Sequence, residues 1–214
     1  MPDDIDVKFL TGFKKVIVDF IKRGNRVILI CGGGNICREY QSTAKKINPK
    51  ISPIDLDWLG IAITKINALM VKNIFGQLAE KRLLLNPTKK IKTTKRVIIG
   101  CGWKPGSSSD KDAVLAAKTF GIKTVVNLSN IVYVYNKDPR QFKDAKPKEN
   151  MSWKEFRKVI GNVWKPGAHV PFDPIAAKFA QKWGQRLVVM KGNDLKNLKS
   201  FLAKKKFKGT VIEN

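Results

Sequence analysis

The chain has 214 residues, of which 43% are hydrophobic, enough for a packed core and too many for a disordered chain. Forty-two Lys and Arg against seventeen Asp and Glu give a net charge of +25, which favours anionic ligands such as nucleotides or nucleic acids. The three cysteines are odd in number and scattered, so we do not expect a disulfide framework. With a single histidine, we expect neither a His-based zinc cluster nor a Ser-His-Asp triad. With no long apolar run and an acidic opening, we expect a cytoplasmic protein without a membrane span or secretory signal.

Predicted strands and helices alternate along the chain. Short apolar runs predict buried strands at Val27–Cys31, Arg96–Gly100, Thr124–Leu128, Arg186–Met190 and Thr210–Ile212. Helical spacing predicts helices at Asp6–Arg23, after the glycines that follow Cys31, and at Asp55–Phe75, Asp110–Phe120, Ser152–Ile160, Pro174–Lys182 and near the end. We predict a loop over Asn136–Asn150. The pattern indicates an α/β fold with a mostly parallel sheet, whose ligands bind beyond the carboxyl ends of the strands.

Three consecutive glycines, Gly32 to Gly34, follow the first predicted strand and precede a helix. Glycine lets backbone N–H groups approach an anion, and a helix N-terminus favours negative charge. Arg38 lies one turn into that helix, and helical side chains lean toward the N-terminus. The motif therefore predicts a phosphate site, although an ordinary tight strand-to-helix turn would have the same pattern.

Asp57 lies near the start of the long third helix. A carboxylate there either caps the helix or accepts hydrogen bonds from ribose hydroxyls. Gly60 would let a sugar or base approach the helix, and Thr64 and Asn67 continue the same face at helical spacing.

A polar loop runs from Gly102 to Asp112 between the second predicted strand and its helix. Its hydroxyls and carboxylates, Ser107 to Asp110, either cap the helix or hold a base or phosphate. A later turn, Tyr135 to Pro139, follows a strand and is uninformative by itself.

Lys89–Arg96 and Lys196–Lys208 are the densest basic runs. Such runs are most often solvated surface, and no aromatic RNA-binding signature accompanies them. RNA is therefore not expected as a partner, and any RNA binding should be weak and steeply salt-dependent.

Five ordered motifs carry a resemblance to a known family: GGGNICREY, LDWLGIAITKINA, GWKPGSSSDKDAVLAA, NLSNIVYVYNKDP and FDPIAAK. Together they resemble the amino-acid-kinase superfamily, and most closely its archaeal-type uridylate kinases, over nearly the whole chain. The resemblance implies one domain over 1–214 with a three-layer αβα sandwich, divided into an acceptor half (1–120) and an ATP half (121–214). It also implies ATP- and Mg²⁺-dependent phosphorylation of UMP to UDP in pyrimidine nucleotide synthesis, by a homo-oligomer such as a hexamer built from dimers.

The resemblance assigns one set of residues to UMP. Arg38 and two glycines would bind its phosphate, Asp57 would accept from the ribose, and Gly60 would leave the ribose room. The full set is Gly33, Gly34, Arg38, Asp57, Gly60, Ser108 and Ser109.

The resemblance assigns a second set to ATP and to catalysis. Asn130, Tyr135 and Asp138 match the segment that holds ATP. Asp110 and Asp173 match acidic positions near the reaction centre. It assigns no residue as a metal ligand, because Mg²⁺ would be bound mainly through the nucleotide phosphates.

Two departures from the family pattern predict a weak donor site. Family members carry a strand with a lysine and a Gly-Gly-Ser loop ahead of a segment like PDDIDVKFL, with which this chain begins, so we expect a truncated or misassigned start. Val132 and Tyr133 stand where the family has Asp-Gly, which removes a glycine beside ATP. We therefore expect the chain as given to transfer phosphate slowly or not at all.

Two rivals to uridylate kinase activity follow. One is a kinase of another acceptor, a carboxylate or an isoprenoid phosphate. The other is a non-catalytic nucleotide-binding or assembly protein of the same fold. The apolar helix at Asp55–Phe75 further predicts self-association, unless the helix is fully buried in the core.

Overall fold

The computed structural model describes residues 5–161 and 170–214. Two loop residues for which the sequence suggests no role, Trp164 and His169, lie outside the described residues. The chain forms two compact units that meet in sequence at Asp112 and Ala113. No helix within the described ranges is both long and apolar enough to cross a membrane.

The first unit is a pair of parallel strands with three helices. In chain order its elements are α1 (Val7–Lys22), β1 (Val27–Ile30), α2 (Gly34–Ile47), α3 (Pro53–Phe75), a 3-10 turn (Gly76–Leu78) and β2 (Val97–Gly100). The strands β1 and β2 pair in parallel from Val27 opposite Val97 to Ile30 opposite Gly100. Their carboxyl ends therefore lie side by side, and the glycines of both following loops start at that edge.

Local chemistry sets the ends of the helices in this unit. Asp6 caps α1 by accepting from the Phe9 N–H. Ser52 caps α3, accepting from the Asp55 N–H, and Pro53 occupies the first helical position, where no donor is needed. Capping by Asp57 is therefore wrong: its carboxylate lies in the second turn and is available for a longer-range contact.

The second unit is built on a four-stranded sheet. Helix α4 (Ser109–Phe120) leads into it, followed by β3 (Thr124–Ser129), β4 (Val134–Tyr135), β5 (Pro147–Lys148), β6 (Asn150–Ser152), α5 (Trp153–Ile160), α6 (Pro174–Lys182), β7 (Arg186–Lys191), α7 (Leu195–Leu202) and β8 (Thr210–Glu213). The strand order is β3–β7–β8–β6, with β7 and β8 antiparallel and the other neighbours parallel. Its core is one cluster of buried side chains that includes Trp153, Phe156 and Phe172.

The α/β class and the alternation of strands and helices are confirmed. The five predicted strands are present with ends that differ by one residue. The loop predicted over Asn136–Asn150 is wrong in part, because Pro147–Lys148 pairs with Val134–Tyr135 as a short antiparallel hairpin and β6 begins at Asn150. Two-residue strands that contain Pro and Lys have no alternating apolar pattern, so no sequence signal announces them.

Candidate functional site

One face of α3 holds the two loops that follow β1 and β2. The Asn67 side-chain amide donates to the Gly32 carbonyl at 2.8 Å. One helical turn earlier, the Thr64 hydroxyl accepts from the Gly102 N–H at 2.9 Å. The two glycine loops are thus fixed on a common helix by side chains that helical spacing places on one face.

Asp57 extends this face toward the tip of the second loop. One of its carboxylate oxygens accepts from the Gly106 N–H at 2.8 Å. Gly106 has φ of +75°, a conformation that L side chains rarely adopt, so a glycine is needed at the point where the loop reaches Asp57. Asp57 therefore joins the candidate acceptor residues on α3 to those of the loop.

The turn after β1 is crowded against the first turn of α2. A Cβ built at Gly33 would lie 2.4 Å from the Cys37 Cβ, closer than real side chains come. Gly34 has φ of +69°. Gly33 is therefore favoured by its close contact with the Cys37 side chain and Gly34 by its backbone conformation, and the predicted turn is present where the sequence places it.

Arg38 lies exposed one turn into α2. Its guanidinium donates to the side-chain oxygen of Asn35, in the first turn of the same helix. This contact directs the positive charge of Arg38 toward the N-terminus of α2 and the glycine turn, as helical side-chain direction predicts.

The space over Gly60 is taken by another helix. A Cβ there would lie 2.8 Å from the Gln41 amide nitrogen and 3.2 Å from the Cys37 sulfur. Close packing of α2 on α3 is thus enough to account for this glycine, and its role in making room for ribose stays a prediction.

The loop after β2 is organised by a residue for which the sequence suggests no separate role, Asp112. Asp112 is fully buried. One of its oxygens accepts from the Ser107 hydroxyl at 2.6 Å and the other from the Trp103 N–H at 3.0 Å. The signal that could have found it is the second acid of Ser-Asp-Lys-Asp, one helical turn from the loop.

Two hydroxyls of this loop have different surroundings: Ser108 caps a helix, and Ser109 lies close to Gly32. Ser108 accepts from the Lys111 N–H at 3.1 Å, which is an N-terminal capping contact for α4. Ser109 and Asp110 lie in the first turn of α4, and the Ser109 oxygen lies 3.6 Å from an ideal Cβ on Gly32. The two strand-to-helix loops therefore meet at Gly32 and Ser109.

The first unit contains three cysteines, and the pKa of each thiol is raised above its ordinary value. Burial raises the pKa of Cys31 to about 12, with a smaller contribution from Cys101 beside it. Burial also raises the pKa of Cys37 and of Cys101. A protonated thiol is a poor nucleophile, and the Cys37 side chain packs against Gly33 and Gly60.

The residues predicted to hold ATP lie in the second unit. Tyr135 belongs to β4, and Asp138 lies in the turn that follows it. Arg140 binds both oxygens of Asp138, at 3.1 and 2.8 Å, and this hydrogen-bonded contact lowers the pKa of the carboxyl. Asn130 is exposed and accepts from the Ser129 hydroxyl at 3.3 Å.

A groove of about 380 Å³ opens beside this turn. Among the residues that line it are Lys137, Lys148 and Lys158, together with Asp138 and Glu155. Lys137 is paired with Asp144 at 2.6 Å, and the two carboxylates offset the remaining ammonium groups, so the groove carries little net positive charge.

Asp173 is buried at the start of α6. Its carboxylate accepts from the Ile175 N–H at 2.7 Å and the Ala176 N–H at 3.3 Å, so it caps this helix. Within the described ranges, no group of three His, Cys, Asp or Glu side chains could hold a metal ion.

The model of the amino acid kinase family matches residues 4–191, and the chain belongs to that family. A uridylate kinase of Methanospirillum hungatei is 32% identical over 196 residues, which cover 90% of this chain and 82% of the relative. That of Sulfolobus acidocaldarius is 26% identical over 214 residues, covering 98% and 93%. The crystal structure of uridylate kinase from Archaeoglobus fulgidus matches with a TM-score of 0.84 at 25% identity, over 97% of this chain and 93% of that one. The predicted resemblance is confirmed at the level of family and fold.

Proposed function

We propose that the chain is a nucleoside-monophosphate kinase of the uridylate type, which transfers a phosphoryl group from ATP to UMP. The observation that carries the proposal is the glycine turn after β1, held by Asn67 and flanked by Arg38. Relatives named uridylate kinase over most of the chain support the choice of acceptor.

In this proposal the UMP phosphate lies against Gly33, Gly34 and the Arg38 guanidinium. A guanidinium carries five N–H donors, so Arg38 can keep Asn35 and still bind a phosphate through two parallel hydrogen bonds. Backbone N–H groups at the start of α2 add donors to the same anion.

The nucleoside would extend toward Asp57 and the loop after β2. A carboxylate accepts about four hydrogen bonds, so Asp57 can retain the Gly106 N–H and accept from ribose hydroxyls. Gly60, Ser108 and Ser109 complete the proposed acceptor site.

On the donor side we propose that Asn130, Tyr135 and Asp138 contact ATP, with Asp110 and Asp173 acting near the transferring phosphate. Phosphoryl transfer depends on positioning and on neutralising the charge of the moving group. A magnesium ion, when bound through the nucleotide phosphates, would supply part of that neutralisation. The described carboxylates form no metal cage, so no step is assigned to a protein-bound metal.

The test is UDP formation from ATP, measured with UMP, CMP, AMP and GMP as acceptors. We expect a slow reaction in which UMP is preferred, and we expect Arg38→Ala to lower kcat/KM for UMP at least about tenfold because a charge-assisted hydrogen bond is lost. Lys45→Ala removes the same charge from the far end of α2 and should leave the rate unchanged. Equal rates in both variants would remove Arg38 from the site.

A non-catalytic nucleotide-binding protein is the second candidate. It is favoured by Tyr133 beside the donor segment and by the Asp138 carboxylate, which Arg140 already engages. UMP binding without UDP formation would establish it. A gain of activity in Tyr133→Gly would instead return the chain to the kinases with a blocked donor site.

We also propose self-association through α3. Trp58 and Ile66 are 52% and 60% exposed on this helix, and Ile54 and Leu69 are exposed as well. Such a stripe of apolar surface is typical of an interface. In analytical ultracentrifugation, Trp58→Glu with Ile66→Glu should shift the protein to monomers, whereas Ile47→Glu on α2 should not. A wild-type monomer at all concentrations would exclude the interface.

A further inference from the structure

Positive charge gathers in the segment that leads into β2 and in the turn that leads into β1. Residues 81–96 contain seven Lys and Arg and no Asp or Glu. Six of these are exposed. Five of the six, together with the exposed Arg26 in the turn before β1, form what we call the basic band: Arg26, Arg82, Lys89, Lys90, Lys92 and Arg96.

Hydrogen bonds hold the two segments of the basic band together. Arg26 donates to the Thr93 carbonyl at 2.9 Å and the Lys95 carbonyl at 3.1 Å. In return, Arg96 donates to the Gly24 carbonyl at 2.6 Å. The guanidinium groups thus bind neutral carbonyls, and this bonding leaves their charge uncompensated.

Acidic side chains do little to neutralise the basic band. Glu80 precedes the segment and contacts the Arg82 side chain at 3.2 Å. The same guanidinium also donates to the Lys92 carbonyl. Lys89, Lys90 and Lys92 project from a segment without helix or regular strand, so their ammonium groups are presented on an irregular, cationic surface.

Contrary to the expectation from sequence alone, we propose that the basic band binds the phosphate backbone of single-stranded nucleic acid, independently of the nucleotide site. Exposed lysines held along one segment are the arrangement that replaces the counterions of a polyphosphate chain. Residues 81–96 contain no aromatic residue on which bases could stack, so binding is through phosphates and without sequence preference. The segment also lacks the amphipathic helix by which basic segments enter a membrane surface.

The test is fluorescence anisotropy of a labelled twenty-nucleotide oligo(A) RNA, titrated with the full chain between low and moderate salt in saturating UMP. Saturating UMP fills the proposed uracil nucleotide site, and oligo(A) contains no uracil, so RNA binding at that site does not contribute to the signal. The variant Lys89→Gln/Lys90→Gln/Lys92→Gln is compared with Lys205→Gln/Lys206→Gln/Lys208→Gln, which removes the same charge from three exposed lysines of the second unit.

We expect the logarithm of the binding constant to fall linearly with the logarithm of salt concentration. The basic-band variant should lose about two units of that slope, since each phosphate contact on a single strand contributes about 0.7. At low salt its affinity should fall at least about tenfold, while the control variant changes less than about threefold. Replacing the same three lysines with arginine should restore binding, which separates a loss of charge from a loss of folding.

Several outcomes would overturn the proposal. Equal losses in the two Gln variants would show that binding follows net charge and not this surface. Tighter RNA binding when UMP is omitted from the titration would place the RNA in the nucleotide site. Tighter binding to polyglutamate, to anionic vesicles or to a DNA duplex than to the single strand would assign the surface to a different partner.

Discussion

The two units differ in how many of their side chains are buried and in what holds their loops in place. In the second unit, Trp153, Phe156 and Phe172 are fully buried in one cluster. In the first unit, α2 is described in full and buries no side chain, and β1 is only half-buried along its length. The unit that carries the candidate UMP residues is thus the more lightly packed one. Its loops are held by polar contacts from α3, whereas the second unit is held by apolar burial.

This difference predicts where substitutions act. Removing a large buried side chain should be most costly in the second unit, because a cavity and a lost transfer free energy add together. In the first unit, stability should depend on close backbone approaches and on side-chain hydrogen bonds to glycine loops.

The largest effect is expected for Trp153→Ala. The side chain is fully buried and its indole N–H donates to the Gln185 carbonyl at 3.0 Å. Its loss should lower the free energy of unfolding by about 3–5 kcal/mol in urea denaturation. Trp58→Ala, which removes an exposed indole, should change it by about 0.5 kcal/mol or less when measured on the monomer. Similar losses in both would contradict the comparison.

A smaller effect is expected for Gly33→Ala. The new methyl group would meet the Cys37 Cβ at 2.4 Å, and overpacking of this kind costs about 1–3 kcal/mol. Gly32→Ala is the matched control, because its Cβ meets only the Ser109 oxygen, at an ordinary 3.6 Å. Thermal unfolding of the two variants tests this, and a stable Gly33→Ala protein would show that the turn is looser than the structure describes.

The smallest expected effect is a change in the stability of the first unit with pH, caused by Cys31. All three cysteines belong to the first unit. The pKa of Cys31 is raised from its ordinary value near 9 to about 12, so the unfolded chain releases this proton first as pH rises. The stabilisation is therefore complete below about pH 9 and is lost progressively toward pH 12.

The measurement is the urea midpoint of the wild type and of Cys31→Ala between pH 7.5 and pH 10. The difference between the two chains should shrink as pH rises, because only the wild type has this thiol to ionise. Parallel pH profiles would show that folding does not raise the pKa of Cys31.

Much of this arrangement could be predicted from sequence. Apolar runs and helical spacing locate the strands and helices, and three glycines after an apolar run locate the turn beside Arg38. Helical spacing places Thr64 and Asn67 on the face of Asp57, but that this face holds the two loops is seen only in the structure.

The rest depends on contacts between distant parts of the chain. Asp112 is recognisable as the organiser of its loop only once its bonds to Trp103 and Ser107 are seen. The crowding at Gly60 comes from the crossing of α2 over α3, which no local pattern encodes. The basic run near Lys89 also joins a larger cationic surface only because Arg26, distant in sequence, bonds to the Thr93 carbonyl.

The central claim is that the glycine turn and Arg38 bind the phosphate of UMP. Isothermal titration calorimetry of UMP into the wild type, Arg38→Ala and Lys45→Ala tests it most directly. We predict that Arg38→Ala weakens binding by about 1.5–3 kcal/mol, the scale of a charge-assisted hydrogen bond, and that Lys45→Ala binds as the wild type does. Equal UMP affinity in all three proteins, or no binding to the wild type, would contradict the account.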